Sequence, residues 1–125
     1  MKKIIKTTKA PLPVGPYNQA ILNNSTLYIS EQIPINPATG EIVKESIEAE
    51  ARQVMENIKG ILEETGMDFS NIVKTSIFIN DMKNFAVVNK VYGEYFTSDF
   101  PARETNQVCG LPLGANVGIS AIAIA

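Results

Sequence analysis

Residues 116–124, NVGISAIAI, carry apolar side chains on both faces of a strand-forming run. Alternation with period two puts Val117, Ile119, Ala121 and Ala123 on one side and Ile122 and Ile124 on the other. Such a strand is favoured only where both of its faces are removed from water. It therefore needs both faces covered, by more than the one layer of helices that a sheet of this kind carries. Burial of that second face in an oligomer is the expected solution.

The remaining sequence supplies helices and flanking strands. Ile47, Ala51, Val54, Met55, Ile58, Ile61 and Leu62 recur at helical spacing and predict an amphipathic helix over 46–65. Ser46 reads as its N-cap, Glu48 and Glu50 suit its positive end, and Gly66 suits its stop. Over 72–80 the period shifts to two, with Val73, Thr75, Ile77 and Ile79 predicted on one face. Phe85, Val88, Tyr92, Tyr95 and Phe96 mark a second helix. Further strands are expected near 18–22, 26–33 and 104–109, with turns at 23–25, 36–40 and 111–114. Pro11, Pro13, Gly15 and Pro16 stiffen the loop before Tyr17. This mixture predicts a single layered α+β domain over 1–125, a sheet with two helices on one face.

Composition narrows the chemistry. The 125 residues include no histidine and one cysteine, Cys109. An internal disulfide, a Ser-His-Asp triad and a Cys-His pair are thereby excluded, and the commonest zinc ligand is missing. No cofactor or metal is expected. A net charge of −2 without a basic block argues against a nucleic-acid partner. No run reaches membrane-spanning length, and the apolar part of MKKIIKTTKAP is too short for a secretory signal, so a cytoplasmic protein is expected. Cys109 reads as a small buried hydrophobe.

Two charged residues stand out. Arg103 follows Pro101 and Ala102 and leads into a strand, so rigid backbone can aim a group that grips carboxylates through paired hydrogen bonds. Glu31 lies in the run LYISEQI, where simple alternation puts Leu27, Ile29, Glu31 and Ile33 on one face. A carboxylate on an apolar face must reach solvent, take a proton or find a cation.

The segments GPYNQAI (15–21), LYISEQIPINPATGEIV (27–43), VNKVYGEYF (88–96) and FPARETNQVCGLPLGANVGISAIAIA (100–125) together resemble the RidA/YjgF/YER057c/UK114 family over nearly the whole chain. The resemblance implies a chorismate-mutase-like α+β fold assembled as a homotrimer, with ligand clefts between subunits. It implies an enamine/imine deaminase that converts 2-iminobutanoate and 2-iminopropanoate to 2-oxo acids and ammonia. Arg103 would hold the carboxylate of a small 2-imino, 2-oxo or 2-amino acid. Tyr17, Ser30, Gln32, Asn89 and Thr105 would line the cleft, with Arg103, Tyr17 and Glu31 as the catalytic candidates. Thr105 stands where many relatives carry cysteine. The chain departs from the family pattern twice: Glu31 replaces a usual glycine, and Gly118 replaces the glutamate that helps place the attacking water.

Three readings of Glu31 follow: it substitutes for the missing glutamate from a neighbouring strand, it folds into the Arg103 fork and blocks the site, or it is solvated at a rim. The alternative function is a non-catalytic module that binds small carboxylates or regulates a partner at the trimer clefts. Ribonuclease or translation inhibition, a label some relatives carry, has no histidine or basic patch behind it.

Overall fold

The computed structural model describes residues 1–125. Six strands form one sheet in the order β1-β2-β3-β6-β4-β5, where β1 is Lys2–Ile5, β2 Ala20–Asn23, β3 Thr26–Gln32, β4 Ile72–Ile79, β5 Ala102–Gln107 and β6 Val117–Ile124. All neighbours are antiparallel except β4 and β5. Helix α1 (Ile47–Glu64) links β3 to β4, and α2 (Phe85–Gly93) links β4 to β5. Both crossovers join parallel strands and step the same way across the sheet. Right-handed crossovers of that kind place both helices on the same face.

β6, apolar on both faces, lies inside the sheet between β3 and β4. Val117, Ile119, Ala121 and Ala123 are buried with Leu27, Ile29, Ile77 and Ile79. Val54, Met55, Ile58, Ile61 and Leu62 of α1 and Val88 and Val91 of α2 complete that core. The other face presents Tyr28, Val73 and Ile124 to solvent. No helix of the molecule is long and apolar enough to cross a membrane.

Helix α1 has the ends its sequence predicts. The Ser46 hydroxyl accepts a 3.0 Å bond from the Ala49 amide. At the far end the Gly66 amide reaches the Glu63 carbonyl and the Met67 amide the Leu62 carbonyl, with Gly66 at φ +75°. This paired closure needs a left-handed residue, which glycine adopts without a Cβ penalty. Helix α2 stops at Gly93, one turn earlier than expected. Tyr95 and Phe96 still pack against the core from the segment beyond it.

Two β-bulges overturn the simple face assignments. On β4, Ile72 pairs with Ala123 and Lys74 with Ile122, so one extra residue is accommodated at Val73. Ile72 then faces the core and Val73 is exposed. On β3, Ile29 pairs with Ala121 and Gln32 with Ile119, again one residue too many. Gln32 takes the inward place, 5% exposed, and Glu31 leaves the face of Leu27 and Ile29. An unpaired extra residue re-aims every side chain at the bulge. Strand β1, absent from the sequence-based expectation, is a four-residue edge strand with only Ile5 buried. Cys109 is exposed rather than buried.

Candidate active site

Arg103 lies near the start of β5, opposite Thr75 of β4. Its guanidinium folds toward α2, where Nη1 donates a 2.7 Å hydrogen bond to Asn89 Oδ1. The Cζ atom stands 5.6 Å from the Phe85 ring centroid and 5.2 Å from that of Tyr92, distances at which a cation is attracted to the ring face. Tyr92 is nearly buried, and its hydroxyl shares a 2.8 Å bond with the Thr75 hydroxyl. Burial pushes the Tyr92 phenol up, while the Thr75 bond and the Arg103 charge act in the opposite direction. Thr105, paired with Ile77, lies two residues further along the same side of β5. Asn89 is thus an acceptor for Arg103. Phe85 and Tyr92, read from sequence only as helix-marking apolar residues, flank the charge.

The second constellation lies on the sheet face away from the helices. The Glu31 carboxylate packs directly over Gly118: a Cβ added at that glycine would sit 2.5 Å from Glu31 Oε2 and 3.0 Å from Cδ. The carboxylate of β3 therefore occupies the space into which a side chain at 118 on β6 would project. Around it, Phe78, Ser120, Val108, Leu111 and Pro112 line an open cavity of about 480 Å³. Partial burial raises the Glu31 pKa above its ordinary value of 4.5. No cation stands within salt-bridge distance of it. The Asn116 backbone amide and side-chain amide hold this end of β6, donating at 2.9 and 2.6 Å to the Glu50 carboxylate. Glu50 is 2% exposed, so it is a buried staple as well as a first-turn acid of α1.

Ser30 sits at the same bulge. Its hydroxyl donates to the Asn18 carbonyl at 2.6 Å and its amide to the Gln19 carbonyl at 2.9 Å. These bonds tie β3 to the loop that carries the exposed Tyr17. Gln19, unnoticed in the sequence, fastens that loop. Its side chain accepts from the Thr7 amide and donates to the carbonyls of Thr7, Ala10 and Pro11. Gln32 faces the core, where its amide donates to the Ser30 carbonyl, and so stands apart from the Glu31 cavity.

Within one chain the two constellations stay apart. β3 and β5 are separated by β6 and β4, three strand spacings or about 14 Å. Arg103 faces the helices and Glu31 faces away from them. The self-blocking reading, with Glu31 in the Arg103 fork, is not the arrangement of a single chain: the partner of Arg103 is Asn89. No group of three His, Cys, Asp or Glu side chains is gathered to hold a metal ion.

Residues 7–125 match the family described as Endoribonuclease L-PSP, the RidA/YjgF family. The chain belongs to the RidA family. It is 47% identical over 124 residues to the bovine protein named 2-iminobutanoate/2-iminopropanoate deaminase, an alignment covering 99% of this chain and 90% of that one. Its fold matches the crystal structure of the Rid-family protein YyfA from Yersinia pestis with a TM-score of 0.97 and 48% identity over the whole of both chains. It matches Escherichia coli TdcF with bound serine at a TM-score of 0.95 and 38% identity over 98% of each chain. The two helices and six-stranded sheet described above match Rid-family structures.

Proposed function

We propose that this RidA-family protein is a 2-imino acid deaminase, acting on 2-iminobutanoate and 2-iminopropanoate. The observation that carries this reading is the Arg103 guanidinium, held by Asn89 on one nitrogen and unpartnered on its others. A fork of free N–H donors is complementary to a carboxylate. Relatives 44–47% identical over nearly the whole chain bear the deaminase name.

The chemistry asks little of the protein beyond orientation. Arg103 anchors the substrate carboxylate, and Glu31 accepts a proton from a water that adds to the imine carbon. The C=N pair moves to nitrogen, which takes that proton back from Glu31 to give a neutral carbinolamine; its hydroxyl proton then passes to nitrogen by way of Glu31 as the C–N bond breaks and the C=O bond forms, releasing ammonia. A 2-oxo acid remains. Tyr17, Ser30 and Thr105 border the cleft, and the pKa of Glu31, raised by desolvation, suits it to proton transfer. In this reading Glu31 supplies from β3 the carboxylate that Gly118 does not supply from β6.

Because Arg103 and Glu31 belong to opposite faces, the reading requires a second copy of the chain. A chorismate-mutase-like homotrimer brings the Arg103 edge of one subunit to the Glu31 cavity of its neighbour. The same assembly covers Tyr28, Val73 and Ile124, the apolar residues left exposed on the open face.

The test generates 2-aminoacrylate with a dehydratase and follows 2-oxo acid release. Acceleration over buffer that disappears in Arg103→Ala is expected; release at the buffer rate would sink the deaminase reading. Saturable binding of 2-oxobutanoate without turnover would instead identify a binding module. RNA cleavage, the activity in the family description, lacks a histidine here and works against a net charge of −2.

A further inference from the structure

Arg103 lies on β5, an edge strand, and is solvent-exposed. A long flexible side chain in that setting is free to sample many rotamers, and its backbone alone does not aim it. Phe85, Asn89 and Tyr92 stand at i, i+4 and i+7, which places them on one stripe of α2. The guanidinium lies along that stripe, between the two rings and bonded to the amide between them.

We propose that the Phe85–Asn89–Tyr92 stripe of α2, locked by Thr75, aims Arg103 and leaves it one paired-donor edge for a single planar carboxylate. The three are positioning residues for the anchor. This inference rests on the anchoring role of Arg103 proposed above.

The contacts close a ring. Arg103 bonds Asn89 on α2; one turn on, Tyr92 bonds Thr75 on β4; Thr75 is the register partner of Arg103 itself. Thr75 is 2% and Tyr92 4% exposed, so the locking end of the ring is rigid. Asn89 is suited to its place because it is neutral. It takes one N–H of Nη1 and leaves the full positive charge for the ligand, whereas a carboxylate there would neutralise the guanidinium. With Nη1 engaged, Nε and Nη2 remain as parallel donors matched to one carboxylate. Lysine at 103 would keep the charge and lose both the ring stacking and the paired edge.

The test uses two readouts on the full-length protein. Calorimetry with 2-oxobutanoate gives Kd for the wild type, Asn89→Ala, Asn89→Asp, Phe85→Leu and Arg103→Ala. Nitrogen-15 NMR reads the Nε–H signal of Arg103 without ligand, with Arg52, the only other arginine, as reference. In the wild type the Arg103 signal should be shifted upfield by ring currents and slow to exchange. Asn89→Ala and Phe85→Leu should move it toward free-arginine behaviour and raise Kd several-fold. Asn89→Asp, which places a competing carboxylate in the fork, should raise Kd at least tenfold. Its melting temperature should stay near the wild-type value, because position 89 is exposed. A wild-type Arg103 signal in Asn89→Ala, or a wild-type Kd in Asn89→Asp, would overturn the aiming role. Unchanged Kd in Arg103→Ala would overturn the anchoring role instead, and the ligand-free NMR signal tells the two failures apart.

Discussion

The Arg103 edge and the Glu31 cavity are two charged sites built by opposite means. Arg103 is placed by local periodicity: three residues of one helix at i, i+4 and i+7 receive a side chain from the adjacent strand. Glu31 is placed by a fault in periodicity, the bulge between Ile29 and Gln32 that turns it onto the open face over Gly118. The first kind of site leans on one helix stripe and on the β4–β5 register that sets Thr75 opposite Arg103. The second depends on the pairing of β3 with β6, and it fills the space that a side chain at 118 would take.

That contrast can be broken at several points. Ile119→Ala, in the strand paired to both β3 and β4, should cost about 2–5 kcal/mol of unfolding free energy. Urea denaturation measures it, and loss of the Glu31 site before the Arg103 contacts would confirm that only the former needs β6 in register. Arg103→Ala should lower kcat/KM by about 100-fold or more through loss of paired charge-assisted bonds. Steady-state kinetics with dehydratase-generated imine checks this, and an effect confined to KM would mark Arg103 as a ground-state anchor only.

Glu31→Gln should reduce kcat by about 100-fold if the carboxylate accepts the proton of the attacking water. The wild-type rate should fall as pH drops through the raised Glu31 pKa, above the ordinary 4.5, and the variant should lose that acid limb. Stability should follow the same group. A carboxyl whose pKa is raised on folding favours the folded state below its unfolded pKa, and that contribution is lost as pH rises through the folded value. Glu31→Gln should therefore denature at higher urea than the wild type above that window. Gly118→Ala should have the smallest effect, a few-fold change in kcat, since the new methyl displaces only the flexible end of Glu31. A wild-type pH profile in Gly118→Ala would show that the carboxylate does not need its seat over residue 118.

How far these features could be read in advance depends on the range of the forces that make them. Helix α1 was legible to its last turn because Ser46, the apolar stripe and Gly66 act through neighbours within five residues. The two-sided apolarity of β6 was equally legible, since Val117 to Ile124 has no wet face to offer, whereas its place between β3 and β4 is set by strand pairing. Arg103 was visible as a residue, and the spacing of Phe85, Asn89 and Tyr92 gives them one helix stripe, but the packing of Arg103 onto that stripe is set by the pairing of β5 with β4. Alternation puts Glu31 and Val73 on the wrong faces for one reason: it assumes an unbroken register, and a bulge is decided by the partner strand. Strand β1, an edge strand of four residues with one buried side chain, carries almost no pattern in the sequence. Glu50 and Gln19 read as ordinary polar residues until folding closed the loops that give them partners 66 residues and up to 12 residues away.

By itself the sequence determined the layered α+β class, the first helix and its caps, the need for a cover on the second sheet face, and membership in the RidA family. Those follow from periodicity, local backbone preference and motif order, all of which act along the chain. Only the tertiary structure decided which way Glu31 faces, that it lies over Gly118, and that it stands on the opposite side of the sheet from Arg103. Those depend on strand register, a relation between distant segments that no local pattern encodes.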